Sequence, residues 1–155
     1  MNIDRFEGDY QFLSNFYVHE FELLGERWPS VEHAYQALKA VKLEDYNKVR
    51  LAATPAIAKK LGRKIKVRSD WEYVKVPIMT CLVRQKFMGS SILAAFLLAT
   101  GDAQLTEGNW WKDTFWGVCN GQGLNMLGKI LMSVREELRL LLAPDNIQFY
   151  GCAAL

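Results

Sequence analysis

A chain of 155 residues and 17.8 kDa, half hydrophobic and 23% charged, has material for one hydrophobic core and too little for two. This balance excludes wholesale disorder, and the longest uncharged apolar run, Ile92 to Ala99, is far below the roughly 18 residues that a membrane span requires. The net charge of +2 conceals unlike thirds: residues 1–32 carry two basic and seven acidic side chains, 33–75 eleven and four, and 76–155 six and six, so local fields rather than the total would select a charged partner.

In chain order, the first thirty residues mix aromatic side chains (Phe6, Tyr10, Phe12, Phe16, Tyr17, Phe21, Trp28) with turn formers, which predicts short strands or ordered loops. Val31, Ala34, Tyr35, Leu38 and Val41 then recur at helical spacing behind Ser30, a suitable N-cap, and predict a helix over 30–42. A second helix is expected over 43–52, and a third from the cap-and-proline pair Thr54-Pro55 to Gly62. Ser69 and Glu72 have the spacing of a capping box ahead of a long apolar-periodic segment through Phe87, with a kink expected at Pro77. Residues 91–99 are apolar nearly all round and predict a buried helix stopped at Thr100-Gly101. Ala103 to Glu107 and Phe115 to Cys119 read as short strands on either side of a tryptophan-rich loop, and a terminal helix is expected from Asn125 to Leu142, closed by Pro144. The class is α+β, predominantly helical, with a few short strands.

The opening lacks the basic and apolar regions of an export signal. Cys81, Cys119 and Cys152 form an odd set without CxxC spacing, which suits reduced thiols, so a cytoplasmic location without membrane association is expected. Two histidines are too few for a histidine-built metal site, and neither metal nor cofactor is expected. Cys152 to Leu155 match a prenylation pattern in letter, but no polybasic stretch precedes them and a small-residue tail produces such a match easily.

Several constellations could carry chemistry. Glu32, Gln36 and Lys39 fall on one helix face and set an acid, an amide and an amine in a row; the alternative is an ordinary solvated row. The run Glu107 to Gly117 holds three tryptophans, a phenylalanine and two carboxylates, a suitable lining for a flat heterocycle, although Phe115 and Trp116 could equally be core residues. Lys59, Lys60, Arg63, Lys64, Lys66 and Arg68 form a basic centre that is either a solvated helix end or a contact for phosphate. Gly121-Gln122-Gly123 could present N–H groups to an anion, but it lacks the third glycine of a dinucleotide fingerprint, and a tight turn explains it as well.

Taken together, Phe12-Leu13-Ser14-Asn15-Phe16-Tyr17, Trp28 to Lys39, Thr54-Pro55 with Ala58 to Arg63, Asp70-Trp71-Glu72, Lys86-Phe87, Leu98 to Gly101, Glu107 to Gly117 and Leu127 to Leu138 resemble, in order, the blocks of the NADAR family, also called YbiA-like proteins. The resemblance implies one YbiA-like domain over residues 1–155 and an N-glycosidase, a hydrolase acting on the bond between ribose C1 and nitrogen. The implied partners are a small phosphorylated riboside, such as a phosphoribosylamino-pyrimidine intermediate of riboflavin synthesis, or ADP-ribose attached to guanine in nucleic acid. It implies Glu32 as the principal carboxylate, Lys39 as a candidate Schiff-base amine and Asp113 as a further catalytic acid. Asn15, Phe16, Arg63, Trp71, Glu107 and Trp116 would bind substrate. The competing class is a non-catalytic module that binds ADP-ribose, a nucleotide or nucleic acid.

Overall fold

Every residue of the helix that follows Ser30 is buried, including Glu32, His33 and Gln36, and the other elements are arranged around it. The computed structural model describes residues 1–143. The chain runs β1 (Asn2–Ile3), a 3-10 turn (Gly8–Leu13), the hairpin β2 (Phe21–Leu23) and β3 (Glu26–Trp28), then α1 (Val31–Ala37), α2 (Leu43–Arg50), α3 (Pro55–Gly62), α4 (Trp71–Met88), α5 (Ser91–Ala99), β4 (Gln104–Leu105), β5 (Gly108–Asn109), β6 (Val118–Cys119) and α6 (Met126–Leu141). Three two-stranded ladders pair β1 with β4 and β5 with β6 in parallel and β2 with β3 antiparallel. The α+β, largely helical class is therefore as expected.

α1 packs against α2, α3 and α4, and α4 packs in turn on α5 and α6. Ser30 caps α1 by accepting from His33 N–H, and its hydroxyl also meets His33 Nδ1 at 2.8 Å. The other ring nitrogen of His33 lies 3.0 Å from the Ala52 carbonyl, so this histidine ties α1 to the turn between α2 and α3. Apolar burial centres on Trp28, Val31, Met79, Leu82, Phe87, Leu97 and Leu131, each fully buried large side chain contributing on the order of 1.5–3 kcal/mol.

Several expectations are corrected. The helix expected over 30–42 stops at Ala37, because tertiary backbone bonds compete with its continuation: Lys39 C=O accepts from Arg68 N–H, Val41 N–H donates to Lys66 C=O, and Ala40 bridges Val67. Val41 is consequently exposed. The Ser69/Glu72 capping box does not form: Asp70 occupies the N-cap position without a side-chain cap, Arg68 binds its carboxylate through two nitrogens at 2.6 and 2.7 Å, and Glu72 pairs with Lys75. α4 continues through Pro77, which lies on its exposed side, and the chain instead turns by 104° between α4 and α5. α5 is not buried all round: Leu93 and Leu97 are, whereas Ile92 and Phe96 face outward because only one side of α5 packs on α4 and α6. The strands expected over 103–107 and 115–119 shrink to two residues each. Asn125 precedes α6 in a left-handed conformation rather than opening it. Pro144, Cys152 and the C-terminal tetrapeptide lie outside the described residues.

Candidate active site

A cavity of 790 Å³ opens between α1 and α3 on one side and the segment from Glu107 to Trp116 on the other, within the usual range for small-molecule sites. Eight of the nine residues expected in the site line it: Asn15, Phe16, Glu32, Lys39, Arg63, Glu107, Asp113 and Trp116. Trp71 stands one layer back. It is buried against Tyr35, with ring centroids 5.0 Å apart, and Trp116 meets the same tyrosine edge-on at 5.5 Å, so Trp71 braces the wall.

Glu32 sits in the first turn of α1, only 6% exposed, with its N–H donating to the Asn15 carbonyl. Gln36, one turn on, donates Nε2–H to Glu32 Oε1 at 2.7 Å, so the shared helix face is realised as a bonded pair. Burial raises the Glu32 pKa above the usual carboxylate range, against the opposing effects of the Gln36 hydrogen bond and of Lys59, Lys39 and Arg63. A helix N-terminus also favours the ionised carboxylate. Lys39 lies just past the helix end, its ammonium 4.9 Å from the Tyr35 ring centre and 5.6 Å from that of Trp71. Burial lowers its pKa, opposed by Glu32 and assisted by Lys59 and Arg63, the direction that makes an amine more nucleophilic at neutral pH.

α3 supplies Ala56 and Lys59 to the cavity, and Arg63, its C-cap, follows them. It approaches α1 so closely that a Cβ on Gly62 would overlap the Gln36 side chain. The Lys59 ammonium is 5.3 Å from the Phe16 ring centre and 5.8 Å from that of Trp111, reaching from the helical wall towards the aromatic one. The basic segment thus divides: Lys59 and Arg63 line the cavity, Lys60, Lys64 and Lys66 face outward, and Arg68 is paired with Asp70.

The opposite wall is acidic and aromatic. Glu107 is held through its backbone, its N–H donating to Asn125 Oδ1 at 3.0 Å and its carbonyl accepting from Val118 N–H at 2.9 Å. Its pKa is pushed up to about 7, first by burial and then by the Asp113 charge. Asp113 Oδ1 accepts from the N–H groups of Phe115 and Trp116 at 3.1 and 2.9 Å, and Asn109 clasps the Asp113 backbone through its side-chain amide, so Asp113 also shapes the loop. Trp110 is 78% exposed at the mouth, and Trp111 is more sheltered. The Gly121-Gln122-Gly123 segment is a tight turn closed by reciprocal backbone bonds between Cys119 and Gln122, off the cavity wall, as the turn reading requires.

Three residues of consequence were not singled out for the site from the sequence. The sequence marks Lys59 only within the basic centre, as a possible phosphate contact; its spacing with Ala56 and Arg63, three and four apart, is the signal that separates it from the rest of that run. Tyr35 reads simply as core. Lys86 stands out only within the Lys86-Phe87 block, without a role: it is buried, donates Nζ–H to the carbonyls of Phe12 and Ser14 at 2.6 and 2.9 Å, and has its pKa pushed down to about 7 by burial. It thereby fixes the loop that carries Asn15 and Phe16.

Comparison with known proteins identifies the family. Residues 4–139 match the model of the NADAR domain. The chain belongs to the NADAR family. Within and around that domain it is 45% identical over 144 residues to an N-glycosidase of Nostoc punctiforme, covering 89% of this chain and 92% of that protein. It is 43% identical over 147 residues to a riboflavin biosynthesis protein of Vibrio vulnificus, covering 93% of this chain but only 40% of the longer relative. The NMR structure of the Escherichia coli protein YbiA superposes with a TM-score of 0.81 at 35% identity, covering 90% of this chain and 84% of that one. This NADAR chain therefore has a YbiA-like fold, and among its described residues no single helix is long and apolar enough to cross a membrane.

Proposed function

We propose that this chain is an N-glycosidase that hydrolyses the bond between C1 of a phosphorylated ribose and a departing nitrogen. The observation that carries the reading is Glu32, a buried carboxyl on the wall of the main cavity, bonded to Gln36 and facing Lys39, Lys59 and Arg63. As the C1–N bond breaks, its electron pair leaves with nitrogen and positive charge builds on C1 and the ring oxygen; an ionised Glu32 stabilises that charge and takes a proton from the water that adds to C1. Lys59 and Arg63 supply cations for the phosphate, and the indole rings of the opposite wall supply stacking faces for the base. The name of the Nostoc relative, at 45% identity over nearly its whole length, supports the reaction class.

The substrate class that the reading favours is a small phosphoribosylamino-pyrimidine, in keeping with the riboflavin-synthesis name of the Vibrio relative; ADP-ribose attached to guanine presents the same ribose with a different attachment. Offering both to the enzyme side by side and following the ribose product by mass separates them. Multiple turnovers on either support an N-glycosidase. Salt-sensitive binding of both without turnover supports the non-catalytic module to which the exposed Trp110 and Lys60, Lys64 and Lys66 would be suited. A covalent role for Lys39 predicts a borohydride-trapped adduct that is lost in Lys39→Ala; cleavage without any trapped adduct reduces Lys39 to binding. The reading includes a cytoplasmic location, in keeping with the free thiols of Cys81 and Cys119.

A further inference from the structure

Glycosidic cleavage needs a proton for the leaving nitrogen as well as a carboxylate for C1, because an unprotonated base anion departs slowly. The cavity holds two glutamates in opposite surroundings. Burial raises the Glu32 pKa, but Glu32 accepts a hydrogen bond from the Gln36 amide and has Lys59, Lys39 and Arg63 around it, all of which favour its anion. Glu107 faces the carboxylates of Asp113, Glu32 and Glu7, with Lys59 as the counterweight from α3 and Lys86 nearby on α4. Its Oε2 is buried, and no group among the described residues hydrogen-bonds to it. A carboxylate oxygen enclosed in that way lacks a donor, whereas a protonated carboxyl there carries its own hydrogen and awaits an acceptor.

We propose that Glu107 is the catalytic acid of the reaction, a neutral carboxyl group that passes its proton to the nitrogen leaving C1 while Glu32 on the facing wall remains the anion. The proposal rests on the N-glycosidase reading above. The step balances: the C1–N electron pair and the Glu107 proton go to the base, and the water that adds to C1 returns a proton to Glu32, from which Glu107 is restored through solvent. Burial raises the pKa of both carboxyls, and it is the neighbouring charges that differ, cations beside Glu32 and carboxylates beside Glu107; two acids so placed can divide the work in this manner. Burial and then the Asp113 charge push the Glu107 pKa up to about 7, the direction that favours the neutral acid. Its position is held by the backbone bonds to Asn125 and Val118, and by Gly117, where any Cβ would overlap the Glu107 carbonyl.

Leaving-group dependence tests this. On a ribosylamino-pyrimidine 5′-phosphate, Glu107→Gln is expected to lose roughly 10² to 10⁴ in kcat, together with the alkaline limb of the wild-type pH profile. On 4-nitrophenyl riboside 5′-phosphate, whose phenolate departs unprotonated, it is expected to lose less than tenfold. Equal losses on the two substrates, or an alkaline limb that survives the substitution, overturn the assignment and leave the N-glycosidase reading standing; a wild-type enzyme that cleaves neither overturns both. Asp113→Asn supplies a second arm that leaves Glu107 intact, since the amide oxygen can still accept from Phe115 and Trp116. Removing that charge should make Glu107 easier to ionise and move the alkaline limb to lower pH, and an unmoved limb contradicts the proposal.

Discussion

The two walls of the cavity are built in different ways. The α1 and α3 wall is regular: Glu32 and Gln36 are one turn apart on one helix, Lys59 and the C-cap Arg63 one turn apart at the end of another, and their packing is set by the close approach at Gly62. The wall from Glu107 to Trp116 has two residues of strand and otherwise loop, knitted by Asn109 and Asp113 side chains bonding to backbone groups. Charge follows the same division, cationic on the helical side and acidic on the other. The contrast teaches that rigidity at this site comes from helix packing on one wall and from side-chain-to-backbone bonding on the other, so the two should fail differently.

The strongest way to break the helical wall is Gly62→Ala. Its methyl group must displace Gln36 from Glu32, and we expect a loss of about 1–3 kcal/mol in stability with a roughly 100-fold fall in turnover from the misplaced carboxyl, read by thermal melting and kcat. A variant with wild-type melting and kcat would show that α3 can retreat. On the acidic wall, stability and activity should part company. Burial raises the Glu107 pKa, so its contribution to folding is present below about pH 4.5 and is lost as pH climbs through about 7. Glu107→Gln should therefore be more stable than the parent at pH 8 by about 1–3 kcal/mol and show no such gain at pH 4; denaturant melts at the two pH values decide it.

Smaller effects sharpen the charge contrast. Lys59→Met should raise KM by roughly tenfold at low salt, with Lys59→Arg restoring most of it and added salt shrinking the difference. A KM indifferent to both variants would remove Lys59 from phosphate binding. Trp110→Ala, at the exposed mouth, should leave stability within about 0.5 kcal/mol and alter KM by only a few-fold, and a large drop in melting temperature would mean that the ring is structural.

Helical periodicity made the helical wall largely legible: Ser30 as cap, the Glu32–Gln36 face and the Thr54-Pro55 start all stand as the sequence suggests. What was not legible depended on distant partners. Backbone bonds from Lys66 and Arg68 shorten α1, and they come from a segment 25 or more residues away. The apolar run of α5 could not reveal that, among the described residues, Ile92 and Phe96 would stay largely exposed. The Asp113 carboxylate, two residues before the N–H it accepts from at Phe115, is a local turn device whose letters look the same as a free acid. The Lys86-Phe87 block does not disclose that the lysine is buried, which follows only once α4 is packed beneath the 12–16 loop.

The central claim is that the Glu32 carboxylate acts at the sugar carbon. Single-turnover mass analysis of Glu32→Gln with a cleavable phosphoriboside tests it most directly, alongside a melting curve to establish folding. A folded variant that retains bound substrate but releases ribose product at least 10³-fold more slowly is the predicted result; a folded variant that releases it at the parent rate contradicts the account.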